Sequence, residues 1–121
     1  MTVDIGRGDI GRGDIWLVDF GADPTDPEQA FMRPAVVVSH ERLHDPRLKM
    51  CVVVPGTSTI RRVSLHLVVE PDADNGLDAM TAFQVEQVRS VSVARLDRCL
   101  GRLGSIGVAQ LDELLRTVLD L

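Results

Sequence analysis

Aromatic residues are scarce: the chain has no tyrosine, and Trp16, Phe20, Phe31 and Phe83 are its whole complement. Stacking of bases on rings can therefore contribute little to any nucleic-acid recognition, and Trp16 and Phe20 lie where core residues are expected. Lysine is almost absent as well, with Lys49 the only one among 13 basic residues. Against 18 acidic residues this gives a net charge of −5, which argues against a protein that coats nucleic acid through a broadly basic face. Any anion site must be local and built from arginine, whose planar fork suits bidentate phosphate recognition. Cysteine is limited to Cys51 and Cys99, set among Val, Met and Leu without a CxxC pair, so both are expected as small buried core residues. His40, His44 and His66 form no HExxH motif and no Cys/His cluster, so no metal or other cofactor is expected. No apolar run is long enough to span a bilayer, and the N-terminus lacks the apolar stretch of a secretory signal. The expected location is the cytoplasm.

What is present describes a foldable domain. The 121 residues, 45% of them hydrophobic, suffice for one domain with a real core. The first residues repeat Asp-Ile-Gly-Arg-Gly at 4–8 and 9–13, a local duplication too short for a solenoid, and residues 1–12 are expected as a flexible lead-in to a domain over 13–121. The GxGxxG that this repeat spells at Gly6, Gly8 and Gly11 has no strand before it and no helix pattern after it, so it carries no nucleotide-binding signal. Alternating residues from Asp14 to Phe20 predict a first strand, and 21–32 a long loop with two prolines. The β-branched runs at 34–39 and 50–55 predict two more strands, separated by a polar segment that can hold one helical turn. Further strands are expected at 63–69, 80–84, 88–93 and 99–103, and a helix at 108–119, where Val108, Leu111, Leu114, Leu115, Val118 and Leu119 recur at helical spacing. Short strands with one terminal helix imply a mainly β fold, a partly closed antiparallel β-barrel with a helix packed on it.

Polar residues at strand ends are the natural places for chemistry, because the scaffold holds them still. Glu28 and Arg33 flank the end of the long loop, Thr57, Ser58 and Thr59 follow the third strand, and Arg61 and Arg62 come just behind. An acid, an arginine and hydroxyls brought together there would suit phosphoryl chemistry, where charge develops on phosphate oxygens. Each residue by itself also fits a surface arginine or an ordinary turn.

Several blocks, taken in order, resemble the MazF/PemK-like toxins from Gly13 onward. They are Gly13 to Phe20, Glu28 to Ser39, Val53 to Ser58, Glu86-Gln87-Val88-Arg89-Ser90-Val91 and Leu100-Gly101-Arg102-Leu103. The resemblance implies an SH3-like barrel, a homodimer, and an endoribonuclease that cuts single-stranded RNA without metal. In that chemistry the ribose 2′-hydroxyl attacks the adjacent phosphate, leaving a 2′,3′-cyclic phosphate and a 5′-hydroxyl. The implied catalytic residues are Arg33 and Thr57, with Glu28 as a third participant. RNA contacts are expected from Ser58, Thr59, Arg61, Arg62 and Gln87. Phe31 and Met32 are an apolar pair suited to a partner peptide or second subunit, and the partner implied is a MazE-like antitoxin, an acidic disordered peptide that folds over an arginine-lined groove.

Two positions depart from the family pattern: Glu86 where aspartate is usual, and Gly56 where a larger residue precedes the threonine. The first lengthens a carboxylate and the second is expected to loosen a turn beside Thr57. A rival from another class is a CcdB-like toxin on the same barrel, which binds a protein such as gyrase and cuts nothing. The C-terminal Val118-Leu119-Asp120-Leu121 lacks the aromatic character wanted there. A second rival is a small interaction barrel without catalysis.

Overall fold

Strand β1 (Asp14–Asp19) carries apolar side chains at both parities, and the fold buries both sets. In the computed structural model, which describes residues 10–21 and 32–121, β1 is followed by β2 (Met32–Val37), β3 (Met50–Thr57), β4 (His66–Val69), β5 (Thr81–Gln84), β6 (Arg89–Ser92), β7 (Leu96–Arg102) and helix α1 (Ser105–Leu119). The strands form one seven-stranded sheet in the order β4-β5-β3-β2-β1-β7, with β6 paired to β3, and every pairing is antiparallel. Among the described residues β4 and β7 do not pair, so the sheet stays open.

Strand β3 organises the rest. One edge meets β2, while the other meets β6 along Met50 to Val53 and then β5 at Gly56 and Thr57. A 3-10 turn at Val85–Gln87 links β5 to β6, so the two part beside Val54 and Pro55. On one face Ile15, Val36, Val54, Phe83 and Val85 pack under Leu111 and Leu115 of α1. On the other, Trp16, Val18, Ala35, Val37, Cys51 and Val53 are closed over by Ile10, Val91, Val93 and Leu96. Each fully buried aliphatic side chain contributes about 1.5–3 kcal/mol relative to exposure, so a sheet covered on both sides needs no closure to be stable.

Several boundaries differ from the sequence expectations for identifiable reasons. Helix α1 begins at Ser105 and not Val108, because Gly104 provides an extended N-cap and Gly107 passes Leu103 so closely that a side-chain carbon would lie 2.8 Å from it. Strand β4 begins at His66, since the alternating residues before it pair with no neighbouring strand among those described. Ile10 and Arg12, expected in the lead-in, belong to the packed domain. Ile10 is 3% exposed, its carbonyl lies 3.1 Å from His44 Nδ1, and Arg12 pairs with Asp112 of α1 at 2.7 Å. Cys51 is buried as expected, and desolvation pushes its thiol pKa up to about 11. Cys99 is exposed, because the strand that holds it lies at the sheet's open end. No helix among the described residues is long and apolar enough to cross a membrane.

Candidate active site

The register of the central strands places a cleft beyond the reach of α1. Ile15 lies opposite Val36 beneath the helix, and two residues along, on the same face, Leu17 lies opposite Pro34 and next to Arg98 of β7. Ala35 pairs with Pro55, and continuing that register sets Pro34 against Gly56. Leu17, Pro34 and Gly56 thus line a cleft of about 610 Å³. Arg33, Thr57, Ser58 and Thr59 form one wall, and Leu77, Asp78, Arg98 and Cys99 contribute the other.

Arg33 is only 4% exposed, an uncommon state for a guanidinium and one that requires good hydrogen bonds. Its Nε donates to the Gly56 carbonyl at 2.8 Å, and its Nη2 donates to Gln84 Oε1 at 2.6 Å. The Phe20 ring lies 5.9 Å from the guanidinium carbon, and Arg89 approaches the same ring at 5.5 Å. Ring faces attract cations through their quadrupole, so Phe20 is a platform for Arg33 more than a surface for bases.

Thr57 is the next residue after the carbonyl that holds Arg33. It is 9% exposed and belongs to the last turn of pairing between β3 and β5, opposite Ala82, where a flanking turn was expected. Its Oγ1 accepts a hydrogen bond from the Thr59 amide at 3.1 Å, and a hydroxyl that accepts in this way can still donate its hydrogen elsewhere. Gly56 does not loosen a turn here. It lies in the strand opposite Phe83, and a side-chain carbon on it would meet Thr81 Cγ2 at 2.5 Å and Phe83 Cε1 at 3.0 Å. Thr81 and Phe83 fill the space that a larger residue would take, so the departure is compensated by its neighbours.

Arg33, Thr57, Ser58, Thr59 and the exposed Met32 therefore meet in one cleft. Arg61 and Arg62 are exposed on the connection after β3 and do not line it. Gln87 is exposed in the 3-10 turn that packs near α1, away from the cleft. Glu28 and Phe31 lie outside the described residues. Glu86 also lies off the cleft, with its carboxylate 2.9 Å from His66 Nε2. Among the described residues no group of three or more His, Cys, Asp and Glu is placed to hold a metal ion.

Sequence reasoning missed Gln84, Asp78, Arg98 and Cys99. Arg98 brings a second positive charge to the cleft from β7, the strand whose start was placed too late. Cys99 faces the cleft, yet partial burial raises its thiol pKa and the Asp14 carboxylate acts the same way, which makes it a poor nucleophile at neutral pH. The lining favours anions: a held guanidinium, a threonine hydroxyl and a second arginine in the same cleft suit a phosphodiester whose charge grows in the transition state.

Residues 11–119 match the family described as PemK-like, MazF-like toxin of type II toxin-antitoxin system. A Mycobacterium tuberculosis protein named Endoribonuclease MazF9 is 40% identical over 112 residues, covering 88% of this chain and 93% of that one. Another from the same organism, named Probable endoribonuclease MazF5, is 38% identical over 88 residues, 73% of this chain and 79% of its own. Among solved structures, Mycobacterium tuberculosis toxin MazF-mt6 superposes with a TM-score of 0.71 at 24% identity, over 89% of this chain and 97% of that one. An endoribonuclease from a mycobacterial species, solved with its cognate antitoxin, gives 0.72 at 19% identity, over 91% and 94%. These two structures share the fold. The family match spans nearly the whole chain, and this chain belongs to the PemK-like, MazF-like toxins of type II toxin-antitoxin systems.

Proposed function

We propose that this toxin is an endoribonuclease that cleaves single-stranded RNA in the cleft between Thr57 and Arg98. The observation that carries the reading is the meeting of Arg33 and Thr57 around the Gly56 carbonyl, a guanidinium and a hydroxyl donor fixed side by side. Relatives at 40% and 38% identity that are named endoribonucleases support the same activity.

The reaction is a transesterification. The ribose 2′-oxygen attacks the adjacent phosphorus, the bond from phosphorus to the 5′-oxygen breaks, and the products are a 2′,3′-cyclic phosphate and a 5′-hydroxyl. One proton leaves the 2′-hydroxyl and one reaches the departing 5′-oxygen. Arg33 and Thr57 stabilise the charge that builds on the non-bridging oxygens, and Arg98 binds a neighbouring phosphate. Arginine stays charged at any physiological pH, so Arg33 serves as an electrostatic clamp and not as the base. Glu28 is the residue proposed to take the 2′-proton, because a carboxylate can accept one. The chemistry needs no metal, since charge neutralisation comes from the guanidinium groups. The toxin acts in the cytoplasm as a homodimer, and its antitoxin supplies an acidic segment that covers the arginine-lined cleft.

The test is to incubate the protein with a long single-stranded RNA in EDTA, beside Arg33→Ala, and to identify the new ends. Discrete cuts with 5′-hydroxyl ends that vanish in the variant support the reading. Intact RNA with a folded, purified protein overturns it and moves the weight to a toxin that binds a protein target.

A further inference from the structure

Strand β5 reads Thr-Ala-Phe-Gln, four buried residues, and the last of them has no packing reason to be polar. Burying an amide costs free energy unless it finds a partner, and an aliphatic side chain would fill the same place without that demand. Gln84 is 8% exposed, and its Oε1 accepts the short 2.6 Å bond from Arg33 Nη2 across 51 residues of chain. Its backbone pairs with His66 of β4 on the far side, and the 3-10 turn that parts β5 from β6 begins directly after it. Gln84 is thus anchored by the sheet on β5, and its side chain meets that of Arg33, which is on β2 at the other side of β3.

Resting on the ribonuclease reading above, we infer that Gln84 is a positioning residue that sets the orientation of the Arg33 guanidinium for phosphate. The Gly56 carbonyl fixes the Nε end, Gln84 fixes Nη2, and the Phe20 ring lies against the guanidinium, so rotation about the side chain's last bonds is arrested. The choice of an amide matters. A neutral oxygen orients the guanidinium without adding a negative charge beside it, as a carboxylate in the same place would. Orientation of this kind acts on the transition state, where small displacements of a charged donor are felt most strongly.

The experiment compares wild type with Gln84→Leu and Gln84→Glu in single-turnover cleavage of a single-stranded RNA, with RNA affinity measured separately. The Nε–Hε resonance of Arg33 is followed by NMR. Gln84→Leu should bind RNA within about threefold of wild type and cleave it on the order of 10- to 100-fold more slowly. Its Arg33 resonance should shift and exchange faster. Gln84→Glu keeps an acceptor but offsets charge, so it should retain the resonance and lose RNA affinity as well as rate. Wild-type cleavage by a folded Gln84→Leu overturns the inference. If that variant does not fold, Gln84→Glu decides, and unchanged affinity and rate overturn it. If wild type itself cuts no RNA, the ribonuclease reading has failed, and an Arg33 resonance unmoved by Gln84→Leu sinks the positioning role independently.

Discussion

Gly56 faces Thr81 so closely that one added carbon would come within 2.5 Å of its methyl group, and the same Gly56 presents the carbonyl that holds Arg33. Packing between β3 and β5 and the placement of the Arg33 guanidinium are therefore one geometric problem. Gly56→Ala should destabilise the protein by about 1–3 kcal/mol through overpacking, and should slow RNA cleavage because the carbonyl must move with the strand. Combining it with Thr81→Ser, which removes the crowding methyl, should recover part of both losses. Chemical denaturation and cleavage rates of the two variants check this, and strictly additive effects would contradict the coupling.

The buried thiol of Cys51 gives a pH dependence with a definite sign. Its pKa in the folded protein lies at about 11, against 9.0 for a free thiol, so above pH 9 the unfolded chain releases a proton that the folded state still holds. Stability contributed by the neutral thiol is complete below pH 9 and declines as pH rises toward 11. The denaturant midpoint should fall over that interval, and Cys51→Ala, though less stable throughout, should show a smaller fall.

Arg98 and Gln87 separate the cleft from the surface the sequence had also suggested. Arg98→Ala should weaken RNA binding several-fold and lower its dependence on salt, because one phosphate contact is lost while the fold is untouched. Gln87→Ala should leave affinity unchanged, since that residue does not line the cleft. Filter binding across a salt series distinguishes the two.

Much of this arrangement was legible in the residues. Strand alternation in β1 and the β-branched runs of β2 and β3 announced the sheet, and the family blocks brought Arg33 and Thr57 forward as a pair. The start of α1 was hidden because Gly104 and Gly107 read as loop, and Ile106, 76% exposed, breaks the apolar spacing. Ile10 was hidden inside a glycine-rich repeat, although its side chain closes the core. Arg98 was missed because the first part of β7 is polar, with one face open to the cleft. Gln84 left no local trace at all, since the need for a buried amide arises from an arginine distant in sequence.

In the proposed reaction the cleft holds a ribose so that its own 2′-hydroxyl is the nucleophile. The most direct test maps the preferred cut site, then offers an RNA oligonucleotide carrying a single 2′-deoxy sugar on the 5′ side of that bond. The modified strand should bind with nearly unchanged affinity and stay uncut there, while other sites are cut normally. Cleavage at the deoxy position would contradict it, because the nucleophile would then have to come from water or from the protein.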